Sequence, residues 1–312
     1  MEHRGAENFR VVFLFLDGVG IGKNNPSVNP MLQADIAALR WLCGGTVPVQ
    51  PFQDRCSEHA HILSVDATLG VAGLPQSGTG QVSIFTGVNG AKKFGRHFGP
   101  YPPSPLHPIL AKKYLLLQLQ QLGKRVVFAN AFPDKFFDYI ESGTRHLSVS
   151  SLGCKLCGIP LLTIDAMLKN EGISADFTRE KWCELGHPDV AAITPQEAGK
   201  HLHQISLQHD FTLFEYWLTD HAGHSRDMQF AKNALEQFDT FLASFLTYTD
   251  LKTTMVVLVS DHGNIEDLST KSHTRNHVPC IVAGARREEV AAHIKSLVHI
   301  TPALLRLFDK NT

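Results

Sequence analysis

The sequence predicts an α/β protein, a three-layer α/β/α sandwich around a mostly parallel central sheet. Three observations carry that expectation. Short apolar runs alternate with amphipathic stretches along the chain, the pattern of strands joined by covering helices. The first run, Val11-Val12-Phe13-Leu14-Phe15-Leu16, is apolar at every position, as a strand buried on both faces must be. Three of the runs lead into an aspartate, at Asp17, Asp220 and Asp261. An open α/β sheet binds its ligands outside the carboxyl ends of its strands, where such residues would gather.

The elements follow in order. Val11 to Leu16 reads as the first strand and ends in Asp17-Gly18. Met31 to Leu42 has helical spacing, and His61 to Leu69 alternates with β-rich residues. Ser77 to Thr86 opens with glycines and passes from a loop into a helix. Tyr114 to Leu122 reads as a helix and Lys124 to Ala129 as a strand. Pro195 to Leu207 is a helix with Thr194 placed to cap it. Phe211 to Leu218 is a strand running toward Asp220, and Asp227 to Phe245 is a long helix. Met255 to Ser260 and Cys280 to Ala283 are strands, and Thr301 to Leu307 closes the pattern as a helix. The stretch from about 89 to 189 is the least regular, with prolines clustered between Pro100 and Pro108. The expected organisation is one domain over 1–312 with a substrate-side insertion within about 89–189.

Composition narrows the function classes. Of 312 residues, 43% are hydrophobic and 19% charged, enough to build a sizeable core. The formal net charge of −1 argues against a dedicated nucleic-acid binder. No run approaches the roughly 18 apolar residues that span a bilayer, so no membrane partner is expected. Residues Met1 to Asn8 and the short run after them do not read as a signal peptide, and a cytoplasmic location is expected. The six cysteines are scattered and form no disulfide framework. Cys154-Lys155-Leu156-Cys157 is a solitary C-x-x-C and reads as plain reduced thiols. Oligomeric state is not legible.

The chemistry begins with the three aspartates. A single Asp after a strand is commonly a turn or capping residue, but three at one sheet edge repel one another unless a cation neutralises them. Histidines accompany them. His224 stands four residues after Asp220, one turn away on the same face if the segment is helical. His262 is adjacent to Asp261, and His273 follows eleven residues later in a polar loop. Carboxylate plus imidazole is a ligand set for Zn²⁺, Mn²⁺ or Fe²⁺ rather than Ca²⁺. Three Asp and three His exceed what one ion uses, so two divalent ions, Mn²⁺ or Zn²⁺, fit the count better. Ser77, in Gln76-Ser77-Gly78-Thr79-Gly80-Gln81, stands at or just before a helix N-terminus. It is either a capping serine or a nucleophile whose oxyanion the helix end would favour.

These segments, in this order, resemble the metalloenzyme branch of the alkaline phosphatase superfamily, which contains the cofactor-independent phosphoglycerate mutases and the phosphopentomutases. Asp17-Gly18 resembles its opening segment and Gln76-Ser77-Gly78-Thr79-Gly80-Gln81 its nucleophile segment. Asp220-His221-Ala222-Gly223-His224 resembles its Asp-x-x-x-His pair, Asp261-His262-Gly263-Asn264 its Asp-His-Gly-Asn segment, and His273-Thr274-Arg275-Asn276-His277 its last histidine segment. The resemblance implies an alkaline-phosphatase-like fold with Ser77 as a metal-bound, transiently phosphorylated nucleophile. It implies one metal on Asp17, Ser77, Asp261 and His262, and another on Asp220, His224 and His273. His221 and His277 are not assigned as ligands.

The departures shape the expected activity. The mutases carry a histidine where this chain has Gln81, and a large cap that keeps water from the phosphoenzyme. Only 142 residues separate Ser77 from Asp220, and part of that span reads as core. A phosphoserine open to water is hydrolysed rather than returned to a sugar. The expectation is therefore a two-metal phosphatase or phosphodiesterase acting on a small phosphorylated substrate. A phosphomutase with a reduced cap is the alternative, and a non-catalytic metal-binding protein the third. The segment around Ser77 lacks the Cys/Ser-x-Pro-x-Arg setting of sulfatases. Lys92, Lys93, Arg96 and His97 form a basic cluster after the nucleophile segment, and with Arg275 they are the candidate substrate contacts. The same cluster is also readable as a solvated loop. Asp66 fits a capping role as well as a site role, and Phe94, Phe98 and Tyr101 a core as well as an apolar wall.

Overall fold

The computed structural model describes residues 9–143 and 146–309. The stretch Met1 to Asn8, read above for targeting, lies outside the described residues. Among the described residues seven strands form one sheet: β1 (Arg10–Leu16), β2 (Arg55–Cys56), β3 (Ala60–Val65), β4 (Val126–Phe128), β5 (Phe211–Tyr216), β6 (Thr254–Val259) and β7 (Val278–Gly284). Their order is β2-β3-β7-β6-β1-β5-β4. The neighbours β6, β1, β5 and β4 run parallel, and β7, β3 and β2 continue the sheet in antiparallel pairs. The sense changes at β7 because the connection from β6 holds no helix to carry the chain back across the sheet.

Strand β1 lies at the centre and its side chains alternate between two apolar layers. Val11, Phe13 and Phe15 join one layer with Phe85, Tyr114, Leu116 and Leu304. Val12, Leu14 and Leu16 join the other with Leu39, Leu202, Phe238 and Phe241. Helices therefore cover both faces, as the apolar β1 run requires. The second layer is built largely by helices Pro195–Leu207 and Met228–Tyr248. The first is capped by a reciprocal Thr194–Glu197 box and the second by Asp227.

Most expected elements are present, with shifts that have local causes. The Met31–Leu42 stretch divides into a 3-10 turn, Pro30–Leu32, and a helix, Ala37–Leu42. The amides of Ala38 and Leu39 donate to the Asp239 carboxylate at 2.9 and 2.8 Å, so a distant side chain sets where that helix starts. Strand β5 stops at Tyr216 rather than Leu218, and Leu218 opens the helix Leu218–Ser225 that carries Asp220. The helix Ser77–Thr86 begins at Ser77 itself and buries all ten of its residues. Thr301 Oγ1 donates to its Ile84 carbonyl at 2.6 Å.

The irregular span resolves into two parts. Helices His107–Lys113, Leu115–Gln121 and Val149–Cys157, with β4, pack into the first apolar layer. Helix Ile164–Leu168 and the turn Glu180–Trp182 build a small separate cluster of Ala131, Met167, Trp182 and Val190, and helix Asp134–Ser142 meets the first layer through Phe136, which stacks on Phe132. Cys154 and Cys157 share one helix as free thiols, with Cys154 buried against the Tyr114 hydroxyl.

Candidate metal centre

The site forms where the parallel strands end. Strands β6, β1 and β5 are adjacent and in register, with Phe15 beside Val259 and Leu16 beside Tyr216. Their carboxyl ends open side by side. Asp17 follows β1, Asp261 follows β6 by one residue, and Asp220 sits in the first turn of the helix after β5. Gly18 lets these ends close up. Its φ is +69°, and a Cβ there would lie 2.6 Å from Asp220 Oδ1.

Two groups of donors result. In the first, Asp17, Asp261 and His262 converge. His262 Nε2 lies 3.3 Å from Asp17 Oδ1 and 3.6 Å from Asp261 Oδ2, and the Ser77 hydroxyl is 2.9 Å from the same nitrogen. All four residues are buried. The Gln81 amide, one helical turn beyond Ser77, donates to Asp17 Oδ2 at 3.3 Å and to Asp261 Oδ2 at 3.2 Å. In the second group, Asp220 Oδ2 lies 3.3 Å from His224 Nε2, and Asp220 Oδ1 lies 3.6 Å from His273 Nε2. The spacing of four residues does place Asp220 and His224 on one helix face. The His262 and His273 rings stack at 3.7 Å between centroids, 13° from parallel, and join the two groups.

The electrostatics call for positive charge. Burial, then the neighbouring Asp261, pushes the Asp17 carboxyl well above the usual range, and burial also raises Asp261. His262 is pushed up to about 10, because Asp261 and Asp17 outweigh the burial that opposes its charge. His273 is pushed down to about 4, chiefly by burial and then by His262. Without another cation the cluster therefore keeps a proton on His262 among crowded carboxylates.

The donor set fits divalent metals by its tautomers as well. His273 Nδ1 lies 2.8 Å from the Pro75 carbonyl and His224 Nδ1 lies 2.8 Å from the Lys271 carbonyl. Each Nδ1 is thus a donor, which leaves each neutral ring with its Nε2 lone pair aimed inward, the arrangement of metal-binding histidines.

A shell of hydrogen bonds that the motifs did not reveal fixes this geometry. Glu266 is fully buried and accepts from the amides of Gly20 (2.9 Å) and Asn264 (2.7 Å), the Thr274 hydroxyl (2.5 Å) and the Asn276 side chain (2.9 Å). The Asn264 side chain donates to Asp220 Oδ1 at 2.6 Å. The acidic residue after Asp-His-Gly-Asn, visible in the sequence as Ile265-Glu266, was the available signal.

The groups face a cavity of about 930 Å³ whose walls include Ser77, Asp17, Asp220 and His224, together with Glu215 at the end of β5. Glu215 carried no motif, and only the strand register shows where it points. The candidate substrate contacts lie elsewhere. Lys92, Lys93 and Arg96 are exposed, and none of these three lines the cavity. Arg96 lies over the rings of Phe94 and Phe98. His97 does not line it either, and its ring is held by the carbonyls of Thr68 and Val71 at 3.1 and 3.3 Å. Arg275 borders a separate hollow with His277 and Gln50. Asp66 accepts from the amide and hydroxyl of Thr68, as a turn residue does. Of the proposed apolar wall only Tyr101 reaches the cavity, and His221, not assigned as a ligand, lines its rim.

Comparisons with known proteins agree with this architecture. The family described as "Metalloenzyme superfamily" matches residues 9–311. A 2,3-bisphosphoglycerate-independent phosphoglycerate mutase of Thiobacillus denitrificans is 31% identical over 153 residues, 44% of this chain and 30% of that protein. Its counterpart in Helicobacter acinonychis is 27% identical over 128 residues, 37% of this chain and 26% of that protein. The matched region thus spans about a third or less of these relatives. The PH0037 protein from Pyrococcus horikoshii superposes with a TM-score of 0.59 at 12% identity, covering 96% of this chain and 97% of that one. The alkaline phosphatase from the Antarctic bacterium TAB5 superposes with a TM-score of 0.53 at 12% identity, covering 96% and 99%. These structural likenesses establish an alkaline-phosphatase-like fold.

Proposed function

Since the chain belongs to the metalloenzyme superfamily, we propose that it is a two-metal phosphohydrolase, a phosphatase or phosphodiesterase, working through Ser77. The observation that carries this reading is the position of the Ser77 hydroxyl, 2.9 Å from His262 inside a carboxylate cluster and in the wall of a substrate-sized cavity. Asp17, Ser77, Asp261 and His262 would hold one ion, and Asp220, His224 and His273 the other. Bound Mn²⁺ or Zn²⁺ would supply the charge that acidifies the serine hydroxyl and offsets the phosphate oxygens.

The protein's own groups do the remainder. Ser77 is the first residue of its helix, so the helix N-terminus favours negative charge on Oγ and on the phosphate. Ser77 Oγ attacks phosphorus and the bond to the leaving alcohol breaks. The Ser77 proton is lost in this attack and the departing alkoxide takes one up. Water then attacks the phosphoserine, the P–Oγ bond breaks, and Ser77 is reprotonated with a proton from that water. A monoester substrate yields inorganic phosphate, a diester the remaining monoester. Gln81 spaces the two carboxylates of the first group, and the Glu266 network holds the loop that brings in Asp261, His262 and His273.

Hydrolysis is favoured over phosphomutation because the part of the insertion outside the core is small. Ser77 is itself buried but lines a cavity whose Trp217 and Tyr101 are 41% and 42% exposed, so the cavity opens to solvent. Water therefore reaches a phosphoserine there. The test is turnover of an aryl phosphate monoester and an aryl phosphate diester by metal-stripped protein reloaded with Mn²⁺ or Zn²⁺. Metal-dependent turnover that Ser77→Ala lowers at least about a thousandfold is expected. Transfer of the phosphate to a second site on a sugar phosphate, without net release, would favour the mutase. Unchanged turnover in Ser77→Ala would overturn the reading.

A further inference from the structure

The cavity that Ser77 lines also has several aromatic side chains in its walls. Tyr101, Phe132, Phe136, Tyr139 and Trp217 line it. Phe132 and Phe136 stack at 4.1 Å, 16° from parallel. Helix Asp134–Ser142 alternates Phe136, Phe137, Tyr139 and Ile140 with charged residues, yet buries none of its side chains. Its Phe136 and Tyr139 line the cavity. The apolar side chains of this helix are half-buried rather than enclosed, which leaves hydrophobic surface that a ligand can cover.

Beyond His146, His221 and His224, the same lining holds few cationic side chains for a doubly charged substrate. Among the described residues, Lys135 is the one lysine or arginine that lines the cavity. The Asn130 side chain is spent at both ends on the Glu215 backbone, at 2.8 Å each. The Ser148 hydroxyl donates to Ser151 at 3.1 Å and accepts from the Ser151 amide at 3.3 Å. A second anionic group on a substrate would find Lys135 in a lining that also carries the carboxyl of Glu215.

We propose that the substrate carries a planar aromatic ring on the alcohol side of its phosphoester, stacked against the Phe136 and Trp217 wall while the phosphate meets Ser77. This rests on the phosphohydrolase reading above and adds the substrate class to it. Stacking of a planar ring on an aromatic side chain contributes enough to dominate KM, whereas a phosphoglycerate-like acid gains nothing from this wall.

The test compares substrates matched in leaving-group basicity: benzyl with ethyl phosphate, and adenosine 5′-monophosphate with ribose 5-phosphate. Holoenzyme is expected to prefer at least one ring-bearing member by tenfold or more in kcat/KM, and the winning pair separates a simple arene from a nucleobase. Trp217→Ala and Phe136→Ala should each reduce that preference at least fivefold, mainly through KM. Both positions are partly exposed, so the fold tolerates the changes. Independently of turnover, benzylphosphonate should quench tryptophan fluorescence where ethylphosphonate does not, and Trp217→Phe should abolish the quench. Equal or reversed preference in both pairs, or full preference in both alanine variants, overturns the proposal. If no ester is cleaved, or Ser77→Ala cleaves them all, the hydrolase reading fails instead, and the phosphonate titration still decides whether the wall binds rings.

Discussion

His224 and His273 bring their Nε2 atoms within 3.2 Å of each other, while the opposite nitrogen of each ring is held by a backbone carbonyl. In the neutral rings two lone pairs face one another with no proton to share. Asp220, beside both, has its carboxyl held well below the usual range by His224 and His262 despite its burial. A cation between these three groups removes the repulsion and uses every donor.

Metal removal should therefore destabilise the protein. Adding Mn²⁺ or Zn²⁺ at about a hundred times its dissociation constant should stabilise stripped protein by about 3 kcal/mol per site, read as a rise in Tm. His273→Ala should reduce the bound metal from two equivalents to one, measured by elemental analysis after dialysis. Two full equivalents in the variant would refute the assignment of His273.

Gln81 is the donor that lets Asp17 and Asp261 lie side by side. Gln81→Ala removes it and should cost metal-free protein about 1–3 kcal/mol in urea unfolding. Saturating metal should recover much of the loss, since the ion takes over the neutralisation. A loss that metal leaves untouched would mean that Gln81 acts through packing alone.

Glu215 makes stability depend on pH in a definite direction. Burial pushes its carboxyl from about 4.5 up to about 7, with Asp261 adding to the rise and Ser150 opposing it. The folded protein thus holds a proton that the unfolded chain has released, so stability falls as pH rises from about 4.5 through 7. Glu215→Gln should remove that fall. In chelator, its stability relative to wild type should improve between pH 5 and pH 8 by up to about 3 kcal/mol. A constant difference across this range would show that Glu215 does not titrate there.

Glu266 ties four donors from three segments to one carboxylate. Glu266→Ala strands them in the interior and should cost at least about 3 kcal/mol. It should also weaken metal binding, because Asn264 and the loop carrying Asp261 and His273 lose their anchor. Calorimetric unfolding and a metal titration on the same sample check both parts. Unchanged metal affinity would confine Glu266 to stability.

The apolar strands and the capped helices were legible because their signals are local. Thr194 and Glu197 announce a helix start three residues apart, and Val11 to Leu16 has the unbroken hydrophobicity of a central strand. The three strand-end aspartates pointed to one edge because parallel strands share a direction. Other features depended on partners remote in sequence. The break in the Met31–Leu42 helix comes from Asp239, some two hundred positions away. Lys92, Lys93 and Arg96 look like an anion site in the sequence, but the helix Gly90–Phe94 and the turn after it leave them in solvent. Trp217 and the Asp134–Ser142 helix carry no motif, and only the folded chain places them around one cavity.

The Ser77 helix has no solvent side, since all ten of its residues are buried. A mutation anywhere along it perturbs the interior, so the reactive group is inherited with the scaffold or lost with it. The Asp134–Ser142 helix has the opposite property, for no side chain in it is fully enclosed. An engineer seeking a new substrate can vary the exposed positions of that helix, such as Lys135 and Asp138, with little disturbance to the chemistry beneath. Divergence within such a scaffold would follow the same division, with rapid drift in the roof and near-stasis at the floor.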